Sequence, residues 1–327
     1  MIKASLFNKE ELQRLFKADS YKETVISELF FTPRFVYKIK KPVNLGFLDF
    51  GDKKERFRIT KYEFEVNKKF APSIYLGLVP IRKYDGKPSL GSQGEILEYA
   101  VKMVRLPQSG QLSSLLAKSK VNEDLVRKIA NTIARAHAKF PFERKNAKYG
   151  RPATTLKNLK QTHSLLRKDA LGRFLTPAEL NFCQNKSLLY FKKLVPEFKK
   201  RAREKRIQKI HGDLHSENIF VKNEIPYLTD AILPINEWAY GDCAYDLGAL
   251  AMDFDAYQNP QLSKKLVEYY SLKRKDREIN KVIGFYKMRW AGVRLWVNSL
   301  AAKKDDEKAA KKATRYKKIL LEYLDKM

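Results

Sequence analysis

Apolar positions alternate in the first third of the chain and recur every three or four residues in the rest. In "ETVISELFF" and "RFVYKIKK", β-branched and aromatic residues fall at strand spacing. The intervening Thr32-Pro33 predicts a turn, so the two segments read as a hairpin. "ERFRITKYEFEVNKKF" has helical spacing and stops at Ala71-Pro72. "IYLGLVPIRKY", the turn "DGKP" and "GEILEYAVKMVRL" predict further strands. "PQSGQ" at 107–111 breaks both periodicities and predicts a hinge. Beyond it, "LSSLLAKS", "NEDLVRKIANTIARAHAKF" (with Asn122 as N-cap) and "PAELNFCQNKSLLYFKKL" predict helices. Two short strands, "NIFVK" and "IPYLTDA", interrupt them around Asn223-Glu224, and helices resume at "YDLGALAMDFDAY". The pattern predicts an α+β, bilobal chain. A β-rich lobe covers 1–106, and a larger helical lobe, 107–327, contains one polar hairpin.

Composition narrows the class. With 44% hydrophobic residues among 327, the chain can bury a core. Cys183 and Cys243 cannot build a disulfide framework and fit a reducing compartment. "MIKASLFNKEEL" lacks an apolar leader, and "VIGFYKMRWAGVRLWV" carries Lys287, Arg289 and Arg294, so no bilayer span is expected. These features predict a cytoplasmic protein. The net charge of +29 attracts nucleic acid, anionic lipid or phosphorylated small molecules. The basic residues are spread along the chain, which is the pattern of solvated helix faces. A nucleic-acid module would rest on "KKRAREKRIQK" at 199–209 alone, and that segment leads directly into the polar hairpin.

The hairpin carries the candidate chemistry. In "HGDLHSENIF…LTD", Asp213 precedes Asn218 by five residues, and Asp230 ends the following strand. Phosphoryl transfer needs a carboxylate to take the proton of the attacking hydroxyl and oxygen ligands to hold Mg²⁺ against the phosphates. The kinase catalytic loop orders its base and asparagine as D-x-x-x-x-N, and Asp213 and Asn218 reproduce that interval.

These residues resemble the signature H-G-D-x-H/G-x-x-N, strand, Asp of the aminoglycoside phosphotransferase and choline kinase branch of the protein-kinase-like fold. "FVYKIKKPVNLGFLDF", "EFEVNKKFAPSIYLGLVPI", "EYAVKMVRLP", "HGDLHSENI" and "DCAYDLGALAMDFDAY" together resemble, more closely, a bacterial group of uncharacterised kinase-like proteins. In that group the domain is often fused to a C-terminal P-loop ATPase domain. No G-x-x-x-x-G-K-[ST] occurs here, so that partner domain is not expected in this chain. The resemblance runs from about residue 20 to about 300.

The resemblance implies ATP and Mg²⁺ as cofactors, Asp213 as catalytic base, and Asn218 and Asp230 as magnesium ligands. It implies Lys38 as the lysine on the α- and β-phosphates and Glu63 as its partner. Lys40 and Lys41 are rivals of Lys38, and strand alternation puts Lys38 and Lys40 on one face and Lys41 on the other. Glu65 is the rival of Glu63. His211 matches a histidine supporting the loop; His215 could touch phosphates or substrate, or fill the loop. Asp246 resembles an aspartate that holds the loop through backbone N–H groups, and Asp242 either does likewise or caps the next helix. Met103 and Arg105 lie in the segment "KMVRLP", whose backbone reads adenine in the family.

Two departures stand beside the match. "LFFTPRF" takes the place of a glycine-rich phosphate cover, with Ser27 and backbone amides as substitutes. The run Asp230-Ala231-Ile232-Leu233-Pro234 lacks the family's acidic residue three positions after the aspartate. The function implied is an ATP- and Mg²⁺-dependent phosphotransferase acting on a hydroxyl. The alternatives are an atypical protein kinase and a non-catalytic nucleotide-binding regulator. No A-P-E-anchored activation segment lies between Asp230 and Asp246, unlike in an ordinary protein kinase. Because Lys and Arg outnumber Asp and Glu by 66 to 37, the expected acceptor is neutral or anionic. Its pocket is expected from the helices after 245 and around 280–300. There Arg289 and Arg294 point about 140° apart, Lys287 and Arg294 share a face, and Trp290 and Trp296 belong to the core.

Overall fold

A computed structural model of the chain describes residues 7–44, 49–232, 235–303 and 306–327. The chain divides into two compact units. One comprises 1–110 together with 227–234, and the other comprises 111–226 and 235–327. The first unit therefore takes in the residues around Asp230 although they lie far along the sequence.

The first unit opens with helix α1 (Lys9–Phe16), closed by a capping box between Asn8 and Glu11. It continues through β1 (Ser20–Glu23), β2 (Ser27–Phe31), β3 (Phe35–Lys40), α2 (Lys53–Phe70), β4 (Tyr75–Tyr84), β5 (Lys87–Ser89) and β6 (Glu95–Val104). The strands form an antiparallel sheet in the order β1-β2-β3-β6-β4-β5. Register places Lys38 between Leu29 and Val101. Phe30, Ile39, Ile81 and Ala100 of the sheet pack with Leu12 and Phe16 of α1. The alternation expected of β2 and β3 is observed, whereas α1 and β1 escape the pattern reading. The apolar stripe of α1 rests on little more than Leu12 and Phe16.

The second unit contains α3 (Leu112–Ala117), α4 (Glu123–Ala138), α5 (Pro152–Asp169), α6 (Pro177–Arg203), β7 (Ile207–Lys209) and β8 (Ile219–Lys222). The unit boundary falls within β9 (Ile225–Leu228). α7 (Asn236–Ala239), β10 (Tyr240–Asp242), α8 (Cys243–Ala256), α9 (Pro260–Arg274), α10 (Ile279–Ala302) and α11 (Glu307–Asp325) complete it. Asn122 caps α4 by accepting from the Leu125 N–H at 2.9 Å. Asn223 and Glu224 both take positive φ, 50° and 59°, in the expected turn. α5 is a further helix beyond the pattern reading.

α8 lies at the centre of this unit. Leu247, Ala249, Leu250, Ala251 and Phe254 are wholly buried, and so are Asp246 and Asp253 on the face that carries its polar groups. Gly248 permits the close approach of α10: a Cβ there would lie 2.6 Å from the Tyr286 Cβ. Among the described residues no helix is long and apolar enough to cross a membrane.

The basic segment 199–209 is not wholly a solvated face. Arg201 is fully buried. Its guanidinium forks onto Asp242 at 2.6 and 2.7 Å and onto Asp276 at 2.8 and 2.9 Å. Removing it leaves buried Asp242 without its fork and Asp276 with only Arg206 Nε, 3.7 Å away. Arg201→Ala is therefore expected to cost about 3–5 kcal/mol of folding stability, measured by denaturant unfolding. A loss within the range of a surface substitution would refute the role given to this pair.

Candidate functional site

In the first unit the chemistry gathers around Lys38. The pleat of β3 sends Lys38 and Lys40 to one face. Both meet Glu63 of α2: Lys38 Nζ lies 2.8 Å from Oε1 and Lys40 Nζ 2.5 Å from Oε2. Lys38 also reaches Asp230 Oδ1 at 2.5 Å. Lys41 points elsewhere, to Glu23 and the Thr24 carbonyl. Glu65 is exposed, 4.0 Å from Lys61, on another face of α2. Two ammonium groups thus share one buried carboxylate. Burial would raise the Glu63 pKa, but Lys38 and Lys40 pull it down to about 2. Burial would lower the Lys38 pKa; Asp230 and Glu63 overcome it and hold it well above the usual range. For Lys40 burial wins, helped by repulsion from Lys38, and its pKa falls.

Asp230 is placed by its backbone. Its N–H donates to the Tyr75 hydroxyl at 2.9 Å, and the Ala231 N–H donates to Asn67 Oδ1 at 2.9 Å. Asn67 is oriented in turn by donating to the Glu63 carbonyl. Asp230 has φ 64°, a left-handed conformation uncommon for aspartate, and its side chain is half exposed beside Lys38. Leu233 and Pro234, where the family's extra acid is missing, lie outside the described residues.

Met103 sits in β6 opposite Val36 and Tyr75 and packs with Tyr227 and Ile74. Arg105 is engaged by its own unit. Its N–H donates to the Arg34 carbonyl, and its guanidinium binds Asp19 at 2.7 Å and the Thr32 carbonyl at 2.9 Å. The β2–β3 turn closes on itself through Thr32 and Phe35. Ser27 is buried 3.3 Å from Lys40 Nζ.

In the second unit the loop 211–218 is held from below by α8. Asp246 accepts from the His211 N–H at 2.6 Å and the Gly212 N–H at 2.8 Å. Gly212 has φ 79°, which a side chain would strain. Asp253, seven residues on and so on the same helix face, accepts from the Ser216 N–H at 2.8 Å and Oγ at 2.6 Å. His137 Nε2 lies 2.9 Å from Asp246, and its Nδ1 lies 2.7 Å from the Tyr270 hydroxyl. The loop then presents its polar groups. Asn218 Nδ2 donates to the Asp213 carbonyl at 2.9 Å and Oδ2 at 3.1 Å. His215 Nε2 lies 3.5 Å from Asp213 Oδ1 and 3.2 Å from Arg294 Nη1. Arg294 binds Glu217 at 2.6 Å, and Lys312 pairs with the same carboxylate. Burial would raise the Asp213 pKa; the neighbouring His215 and Arg294 reverse this and lower it. A lowered pKa keeps the group an anion, able to accept a hydrogen bond.

The structure therefore brings the predicted residues together as two groups, Lys38–Glu63–Asp230 in one unit and Asp213–His215–Asn218 in the other, while His211 is buried beneath its loop. Asp242 caps α8 and pairs with Arg201. Sequence reasoning missed His137 and Asp253, and named Arg294 only for the expected acceptor wall. For Asp253 a signal existed, the seven-residue interval from Asp246 on an otherwise apolar helix.

A sequence model of the APH phosphotransferase enzyme family matches residues 94–279, more than half of the chain. The chain belongs to this phosphotransferase family. The match includes both the Asp213 loop and Asp230. An uncharacterised protein of Mycobacterium tuberculosis is 26% identical over 295 residues, which cover 88% of this chain and 56% of that protein. The chain thus spans about half the length of the curated relatives it matches. Among solved structures, a choline kinase from Cryptosporidium parvum aligns with TM-score 0.51 and 12% identity, covering 94% of this chain and 90% of that one. A ternary complex of an aminoglycoside phosphotransferase with AMP-PNP and hygromycin B aligns with TM-score 0.51 and 14% identity, covering 95% and 97%. The fold is the protein-kinase-like α+β fold of these phosphotransferases.

His137 supports the loop from below through Asp246, 2.9 Å from its Nε2. Burial opposes protonation of His137, but the Cys243 sulfur and the Asp246 carboxylate outweigh it and raise its pKa from 6.5 to about 10. A raised folded-state pKa contributes stability that is complete below about 6.5 and lost as pH rises through about 10. His137→Leu should therefore lose more stability at pH 6 than at pH 10. Denaturant midpoints of the variant and wild type at both values check this, and an equal difference at the two would mean the imidazole is neutral.

Proposed function

We propose that the chain transfers the γ-phosphoryl group of ATP, with Mg²⁺, to a hydroxyl of a small neutral or anionic acceptor. The observation that carries this reading is the pair of ordered groups, each formed within its own unit. Lys38 is a compact cation held by Glu63, suited to the α- and β-phosphates. Asn218 and Asp230 offer amide and carboxylate oxygens, the hard ligands that Mg²⁺ takes, and the Asp230 carboxylate is half exposed. Mg²⁺ held by such ligands would neutralise charge on the phosphates.

Asp213 serves as the base. The acceptor oxygen forms a bond to the γ-phosphorus, and the bond from that phosphorus to the β–γ bridging oxygen breaks. ADP leaves, and the hydroxyl proton passes to an Asp213 carboxylate oxygen. Asn218 and His215 orient that carboxylate, and Asp246 and Asp253 hold the loop that carries it.

Two measurements test the assignment. Asp213→Ala should lower phosphoryl transfer by at least about 100-fold, with Mg-ATP affinity changed no more than a few-fold, because a base acts on the acceptor. A fully active variant would remove Asp213 from the reaction. Lys38→Ala should weaken ATP binding and lower turnover far more than Lys41→Ala, whose side chain is held by Glu23. Nucleotide titration of both variants would show the reverse order if another strand register applied.

A further inference from the structure

A pocket with about 390 Å³ of empty space, its open mouth included, lies in the helical unit. It adjoins the loop of Asp213. Ile210, next to His211, lines it, and so does Tyr245, whose phenol is pushed up to about 12 by burial and also responds to the Asp213 charge. Its walls are aromatic: Tyr149 and Tyr240 stack with centroids 5.9 Å apart, and Trp238 lies beside them.

The charges lining the cavity do not cancel. Glu237 is neutralised by Lys157 through both oxygens, at 2.9 and 3.0 Å. Asp242 is neutralised by the Arg201 fork. Arg289 has no carboxylate partner among the described residues. Its guanidinium lies 4.6 Å from the Tyr245 ring centre, and its Nε lacks a hydrogen-bond partner. Lys287 and Arg294, the other basic residues of this stretch of α10, are bound to Asp255 and Glu217. A second group is also unsatisfied. Asn158, only 7% exposed, lines the cavity with an Oδ1 that accepts no hydrogen bond. A buried polar atom left unpaired is costly, so an occupant that donates a hydroxyl proton to it is favoured.

We propose that this cavity receives the acceptor and that Arg289 binds an anionic oxygen group on it. The occupant is a hydroxylated ring bearing a phosphate or a carboxylate. The ring packs on the tyrosines, Asn158 takes a ring hydroxyl, and the planar guanidinium takes the anion. The inference rests on the phosphotransferase reading for the purpose of the site, while its test does not require turnover.

The test is calorimetric titration, without nucleotide, of glucose 6-phosphate, glucuronate and glucose. At least one anion should bind about tenfold or more tightly than glucose, and whichever anion binds better identifies the group. Arg289→Gln should lose at least about tenfold in affinity for that anion. Arg289→Lys, which keeps the charge, should lose less, and Asn158→Ala should weaken all three sugars. Failure of both anions to bind, binding of glucose as tight as that of either anion, or an Arg289→Gln variant that binds as the wild type does would overturn the proposal. In the last case, undiminished ATP turnover by Arg289→Gln would leave the phosphotransferase reading standing and remove the cavity assignment alone.

Discussion

The buried carboxylate of Asp246 is the constraint on which the second unit depends. A carboxylate in a buried helix is costly unless its oxygens are satisfied. Here they are satisfied by two backbone N–H groups of the loop and by the His137 imidazole. The satisfaction is mutual, because the loop amides have no strand to pair with. Asp253 repeats the arrangement two helical turns later, with Ser216 and the Tyr316 hydroxyl. The loop between these anchors is short, so fixing its two ends fixes the direction in which Asp213 and Asn218 project. The polar groups of α8 therefore act through position.

The first unit solves a different problem. Two lysines on one strand face repel each other, and one buried glutamate between them makes the pair tolerable. The cost falls on Lys40, whose charge is disfavoured, and not on Lys38, which gains Asp230 as a second partner. Asp230 in turn is oriented by hydrogen bonds from its own backbone and that of Ala231 to Tyr75 and Asn67. Its carboxylate is left half exposed beside Lys38.

The net charge of +29 is a poor guide to any one site. Arg201, Arg294 and Lys287 are each consumed by carboxylates of the same unit. Arg105, read from sequence as part of the adenine segment, is spent on Asp19. What distinguishes Arg289 is the absence of such a partner among the described residues, together with a pocket that it lines. Both are properties of packing, and neither can be counted from composition.

The sequence alone determined the class of the elements and the spacing of the polar residues in the loop. Strand alternation assigned Lys38 and Lys40 to one face, because side-chain period in a strand is two whatever the surroundings. Turn and cap signals located Asn122 and Asn223-Glu224 for the same local reason. The interval from Asp213 to Asn218 was legible because a short loop ties spacing to geometry. Tertiary structure alone decided the rest. That Lys40 shares Glu63, that His137 lies 2.9 Å from Asp246, and that residues 227–234 join the first unit are contacts across 23, 109 and more than 110 residues of chain. No local periodicity encodes them. They follow from which buried polar groups find partners once the apolar faces have closed.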